Sequence, residues 1–281
     1  MGSNRVIIDR DGHIAHVQLN RPDKRNAIDS AMFAELREAA KSLGSTPSIW
    51  AIVLSGVGNT FSAGLDMSNF AAMASGEVKG DAATRTAHDL SADGATPFQQ
   101  VAWLWQEVPM PVIAAVEGHA LGGGFHIALG ADIRVIAADA QIGFVEITWG
   151  LVPDMSGTQA LRRLVPLDVA KRLVFTGEVI SGREAVELGL GTILHDEPVK
   201  AALEMAAAIT TRSPDALRVA KRMLNASAFV SVADGLANEV AASASLIGIP
   251  NQMEAVMARL EKRAAAFDDP IVNPESGRAA R

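Results

Sequence analysis

The 281-residue chain contains no cysteine. That excludes disulfides and thiol chemistry and fits a cytoplasmic protein. No stretch reaches the roughly 20 uninterrupted apolar residues of a membrane span, and the opening MGSNRVII lacks a basic region followed by an apolar core. Neither a membrane anchor nor a secretory signal is expected. Cations are outnumbered, 25 Lys and Arg against 32 Asp and Glu, for a formal net charge of −7. Binding to a phosphate backbone is driven by clustered Lys and Arg, so a nucleic-acid partner is not expected. Two nucleotide signatures are missing from the glycine-dense loop at 118–124. A P-loop ends in Gly-Lys-Ser/Thr, whereas Gly124 is followed by Phe125 and His126, and the spacing G-H-A-L-G-G-G is not the dinucleotide fingerprint G-x-G-x-x-G. No internal repeat of fixed period is visible.

What is present is a globular composition, 49% hydrophobic and 20% charged, long enough for one large core in one domain or one domain with an appendage. The chain is organised around Val112 to Asp132, VIAAVEGHALGGGFHIALGAD. Its apolar start, Val112 to Val116, reads as a buried strand. The glycine-dense segment Gly118 to Gly124 reads as a turn, and Phe125, Ile127, Ala128 and Leu129 continue as a helix. The first N–H groups of a helix have no partner within it, so such a junction offers donors to an anion or to a carbonyl oxygen that becomes one. The same pattern recurs at Phe61 to Met67, FSAGLDM, after the apolar strand Ile49 to Leu54.

Elsewhere, Val6 to Asp9 and Ile14 to Leu19 alternate around Asp11-Gly12 as a hairpin. The segment NRPDKRNA, 20–27, is polar turn chemistry. Ser30 is placed to cap a helix through Leu43. Residues 74–96 show little periodicity and read as a mobile, substrate-adaptable segment. Pro97 opens a helix, Ile133 to Ala137 is a strand, and from Val165 the chain reads as helices, the last spanning Asn251 to Phe267. The tail from 268 to 281 is expected to be disordered.

The motifs NRPDKRNA, FSAGLDM, PVIAAVEGHALGGGFHIALGADIR, IGFVEITWGLVPDMSGTQALRRLVP and TGEVISGREAVELGL, in that order over roughly residues 5 to 267, resemble the crotonase, or enoyl-CoA hydratase/isomerase, superfamily. The resemblance implies an α/β fold, a spiral of repeated β-β-α units over 1–197, with a helical region over 198–267 that forms trimers or dimers of trimers. It implies acyl-CoA thioester substrates and no separate cofactor, and His119, His126 and Glu146 are too weak a set for a metal site to be expected. The thioester enolate would be held by two backbone N–H groups, which fall on Leu65 and Gly123.

The same resemblance places acid/base residues. Enoyl-CoA hydratases of this superfamily carry two glutamates that hold a water. The second is present as Glu146, whereas the first is replaced by His126, a residue that is otherwise often a hydrogen-bonded core histidine. Eight residues after Glu146 stands Asp154, and this Glu-to-Asp spacing is similar to that of the dienoyl-CoA isomerases. An isomerase is therefore expected ahead of a hydratase, with a non-catalytic acyl-CoA binding homologue as the alternative. Two carboxyls in one apolar pocket split their pKa values, so that one stays protonated as the acid. The structural alternatives are that Asp154 caps a helix beginning near Thr158 and that Glu146 pairs with an arginine. By the same resemblance, Lys24, Arg25, Ala27, Ala63, Asp66, Met67, Gly122 and Lys262 are nominated for CoA and substrate contacts. Trp149 is placed either along the acyl pocket or in the core.

Overall fold

The computed structural model describes residues 4–76 and 90–271. Strands β1 (Val6–Asp11) and β2 (Ile14–Leu19) form the expected antiparallel hairpin. From β2 onward the pairing is parallel, through β3 (Ala51–Gly56), β4 (Val112–Val116), β6 (Ile133–Ile136) and β9 (Ile193–Leu194), in the order β1-β2-β3-β4-β6-β9. Parallel neighbours need crossovers, and the crossovers place helices on both faces of the sheet. That is why β4 is an unbroken apolar run, buried at every position. Its alternate residues serve two cores: Val112, Ala114 and Val116 belong to the large core that also takes in helices α1 (Ser30–Gly44) and α3 (Pro97–Glu107), while Ile113 and Ala115 join Ala202 and Ala206 of α8 (Pro198–Ile209).

A second, three-stranded sheet is made by β5 (His119–Leu121), β7 (Gln141–Gly143) and β8 (Val179–Ser181). Strand β4 leaves the large sheet at Val116 and the chain enters the small one at His119. The step from β6 to β7 repeats this. After β3, Ser62 makes a single bridge to Ala120 at the edge of the small sheet. Three chain segments thus each run from a large-sheet strand, through a small-sheet strand or bridge, into a helix: α2 (Met67–Ala74), α4 (Gly123–Gly130) and α5 (Gly157–Leu164). This is the β-β-α winding that the resemblance implied.

Four local expectations need correction. The glycine-dense segment 118–124 is not one turn, because β5 lies inside it. Asp29, not Ser30, caps α1, its carboxylate accepting from Met32 N–H. The region after Val165 holds β8 and β9 among the helices α6 (Leu167–Thr176), α7 (Gly182–Glu187), α8, α9 (Pro214–Ser227), α10 (Val232–Leu246) and α11 (Pro250–Glu261). Strands of three and two residues are too short to leave a periodicity. The last helix stops at Glu261, and Lys262 takes a left-handed conformation.

Residues 268–271 are ordered, contrary to the expected tail. Asp268 N–H donates to Asn251 Oδ1, Ile271 N–H to buried Asp215, and the Trp50 indole N–H to Asp269. Residues 272–281 lie outside the described residues. Of the segment read as mobile, 77–89 also lies outside them, but 90–96 is tied down. Ser91 donates to Glu107, and Thr96 and Gln99 form a reciprocal capping box at the start of α3.

The helical C-terminal region is pinned to the strand core by two buried cations of α9, of which Arg218 donates to the carbonyls of Pro47 and Ile49. Lys221 of α9 pairs with Asp132 at 2.8 Å and donates to the carbonyls of Trp105 and Met110. Among the described residues no helix is long and apolar enough to cross a membrane.

Candidate active site

The two glycine-bearing junctions are stitched to each other by backbone bonds. Ser62 N–H donates to His119 O, Leu121 N–H returns to Ser62 O, and the Ser62 hydroxyl donates to Asn26 O. Asn26 supports the same knot: in a left-handed conformation and fully buried, it donates to Val57 O and Thr60 O and accepts from Arg21 N–H. Its amide satisfies turn carbonyls that would otherwise be buried unpaired.

Gly64 lies where the loops touch. Its φ is +90°, and a Cβ there would stand 2.6 Å from Leu121 O and 3.8 Å from Gly123 N. Only glycine allows that approach. Leu65 pairs in parallel with Ile28, but the bonds run from Ile28 N–H to Gly64 O and from Asp66 N–H to Ile28 O. The N–H of Leu65 therefore points away from Ile28. Gly123 is the first residue of α4, so its N–H is among those without a partner inside the helix. The structure thus brings the two expected donors onto neighbouring loops.

Glu146 sits in a 3₁₀ turn, Val145–Trp149, directly against this frame. Gly122, with φ +50°, leaves the space: a Cβ on it would be 3.1 Å from Glu146 Oε1. Burial raises the Glu146 carboxyl to about 7; its own backbone N–H opposes the rise and the charge of Asp154 adds to it. Asp154 lies at the exposed rim, where the protein around it still raises its carboxyl above the ordinary value. It caps nothing, since α5 begins after Ser156 without a side-chain cap. The side chain that meets Glu146 among the described residues is not an arginine but His126, Nε2 to Oε1 at 3.2 Å.

His126 is buried in the all-apolar helix α4. Burial lowers its pKa to about 3, so the ring is neutral at physiological pH. It is not the hydrogen-bonded core histidine that its position suggested: neither ring nitrogen makes an aligned hydrogen bond, and Glu146 Oε2 is likewise buried without one. The ring lies against Gly157, where a Cβ would come within 2.6 Å of Nε2. His126 thus touches both the Glu146 turn and the start of α5, three residues beyond Asp154.

The positions nominated for CoA divide. Lys24 and Arg25 are exposed beside the FSAGL loop, and Arg25 O accepts from Ala63 N–H. Ala27 is buried and its carbonyl accepts from Arg21. The Asp66 carboxylate is already taken. It caps α2 through Ser68 and pairs with Arg21, and these bonds hold it at about 2. Met67 is exposed at the first position of α2, and Gly122 spends its N–H on Gly143 O.

Trp149 does not pack the core. It is exposed and stacks on Phe70 of α2 at 4.3 Å. Lys262 is not brought to the cluster within one chain. The segment following it returns to Trp50, at the start of β3, whereas Glu146 and Gly123 lie beyond the end of β4. Among the described residues no group of His, Cys, Asp and Glu is placed to hold a metal ion.

Asn26, Ser62, Arg21 and Gly157 were not singled out from the sequence. An asparagine amid turn residues is a signal for a left-handed position; the other three serve through contacts with distant segments.

Residues 9–270 match the family model described as enoyl-CoA hydratase/isomerase. The short-chain-enoyl-CoA hydratase of Clostridium acetobutylicum is 32% identical over 266 residues, covering 94% of this chain and 97% of that protein. The mouse mitochondrial enoyl-CoA hydratase domain-containing protein 2 is 34% identical, covering 90% and 84%. Among solved structures, an enoyl-CoA hydratase from Bacillus anthracis superposes with a TM-score of 0.84 at 29% identity, covering 95% of this chain and all of that one.

Proposed function

Because the chain belongs to the enoyl-CoA hydratase/isomerase family, we propose that it acts on acyl-CoA thioesters and shifts a double bond within the acyl group, in the manner of a Δ3,5-Δ2,4-dienoyl-CoA isomerase. What supports this reading is the buried Glu146 carboxyl with His126 Nε2 at 3.2 Å, an imidazole where a water-holding pair would need a second glutamate, and Asp154 near enough for its charge to act on Glu146.

In this scheme the thioester oxygen lies at the N–H groups of Leu65 and Gly123. One carboxylate removes a proton from the carbon chain, the electron pair delocalises onto that oxygen, and the other carboxyl returns a proton further along the chain. No atom is gained or lost. In this assignment Glu146, raised to about 7 by burial, holds the proton as the acid, and Asp154, exposed to solvent, serves as the base. Asp154, at the rim, exchanges its proton with solvent between turnovers.

This assignment fixes the sign of the pH dependence. Turnover of a dienoyl-CoA falls as pH rises through about 7, where Glu146 loses its proton, and falls again in acid, where Asp154 gains one. A hydratase using Glu146 as base would instead gain activity through the same range. That second reading is favoured by the hydratase names of the relatives and by the 3.2 Å contact of His126 with Glu146. The direct test offers the protein a 3,5-dienoyl-CoA and, separately, a 2-enoyl-CoA, and follows the absorbance of each chromophore. Turnover of the diene alone supports the isomerase; turnover of the enoyl substrate alone overturns it.

Self-association as a trimer or dimer of trimers belongs to the same proposal. It is supported by the apolar stripe on α10, where Val232, Leu236 and Val240 recur every fourth residue and are exposed. Introducing Leu236→Glu with Val240→Glu is expected to reduce the mass read by light scattering to that of a monomer. An assembly that survives both changes would place the interface elsewhere.

A further inference from the structure

His126 is a buried titratable side chain that meets Glu146 and to which the proton shift assigns no step, and an unsatisfied buried imidazole needs an explanation. Neutral imidazole carries one N–H and one lone pair. An unpaired N–H in a dry site costs more than an unpaired lone pair, because the donor has given up a strong hydration bond. Nδ1 faces no acceptor among the described residues, whereas Nε2 lies 3.2 Å from a carboxyl oxygen. The proton therefore belongs on Nε2.

From this geometry, and resting on the isomerase reading above, we infer that His126 is a positioning residue: its Nε2–H donates to Glu146 Oε1, which makes Oε1 the carbonyl oxygen and confines the exchangeable proton to Oε2. The contact is within reach but misaligned without substrate, as apo hydrogen bonds at reacting carboxyls commonly are. A small rotation of the carboxyl aligns it. The two partners are held close because Gly122 and Gly157 carry no Cβ: one on Gly122 would stand 3.1 Å from Glu146 Oε1, and one on Gly157 2.6 Å from His126 Nε2. Oε2, buried and unpartnered, is then the oxygen left for the acyl carbon. Among the described residues the titratable group acting on the pair is Asp154; Phe144 and Gly157, which also flank the ring, carry no charge.

The test compares His126→Gln, whose amide N–H can occupy the place of Nε2–H, with His126→Leu, which has no donor. Removing one net hydrogen bond is expected to lower kcat about tenfold in the Leu variant, with KM for the dienoyl-CoA little changed. Because the donor stabilises ionised Glu146, its loss also moves the alkaline limb of the pH profile to higher pH. The Gln variant should recover most of kcat and the wild-type limb. A Gln variant as impaired as Leu, or a limb that stays in place in both, would overturn the inference and leave His126 as packing.

Should the Leu variant fail to fold, nitrogen-15 NMR of histidine-labelled wild-type protein decides. A single neutral ring protonated on Nε2 from pH 5 to 9 is expected for His126, and a ring that titrates in that range contradicts the assignment. Dienoyl-CoA turnover by wild type separates the two failures: with turnover absent the isomerase reading falls, and with turnover present only the role of His126 is in question.

Discussion

Glu146→Gln is expected to lower dienoyl-CoA turnover by about 10²- to 10⁴-fold, the range that positioned general acid-base groups contribute. The amide keeps the size of the carboxyl and its place against Gly122, so acyl-CoA affinity should stay close to that of wild type. It has no exchangeable carboxylic proton, so the activity limb near 7 should vanish along with the rate. Calorimetric titration with a non-reacting acyl-CoA thioether, run beside the kinetics, separates the two effects. A variant that binds and turns over normally would remove Glu146 from the mechanism. One that fails to bind would mean its carboxyl holds the loop rather than the proton.

Gly64→Ala tests the backbone donors, which no side-chain deletion can reach. The residue has φ +90°, and the new Cβ would stand 2.6 Å from Leu121 O. A left-handed non-glycine residue costs of order 1 to 3 kcal/mol, and the clash can be relieved only by parting the FSAGL and HALGG loops. Parting them moves the N–H of Leu65 away from that of Gly123. Loss of one oxyanion donor costs about 10² to 10³ in kcat. The variant should therefore lose activity in that range, together with a lowered melting temperature. Gly12→Ala, in the β1–β2 hairpin, is the control for strain alone: Gly12 also has positive φ, but a Cβ there meets nothing within 4 Å among the described residues, so it should lose some stability and keep its turnover. If Gly64→Ala also keeps turnover, the two N–H groups do not act together on the thioester oxygen.

Much of this site is legible in the sequence because its parts are local. An apolar run followed by glycines and a helix names a junction, and both junctions are visible that way. The proposed acid/base positions came from motif register, and the structure sets Glu146 against His126. What sequence could not supply is the contact between segments. Ser62 and Asn26 hold the two loops in register through bonds spanning the chain, and neither residue type announces that role. The β-β-α winding left no fixed sequence period because its units differ in length. The first runs from Ala51 to the next large-sheet strand at Val112, and the second only from Val112 to Ile133. Lys262 illustrates a different limit, since motif register gave it a role at the CoA phosphate that one chain's geometry does not bring about.

The most direct test of the central claim is mass spectrometry of the product formed from a 3,5-dienoyl-CoA in water enriched in heavy oxygen. An internal proton shift on an enolate leaves the acyl group with no oxygen from solvent, and the account predicts an isomer of unchanged elemental composition. Heavy oxygen in the acyl chain would show that Glu146 and His126 deliver water to the double bond, and would contradict the proton shift.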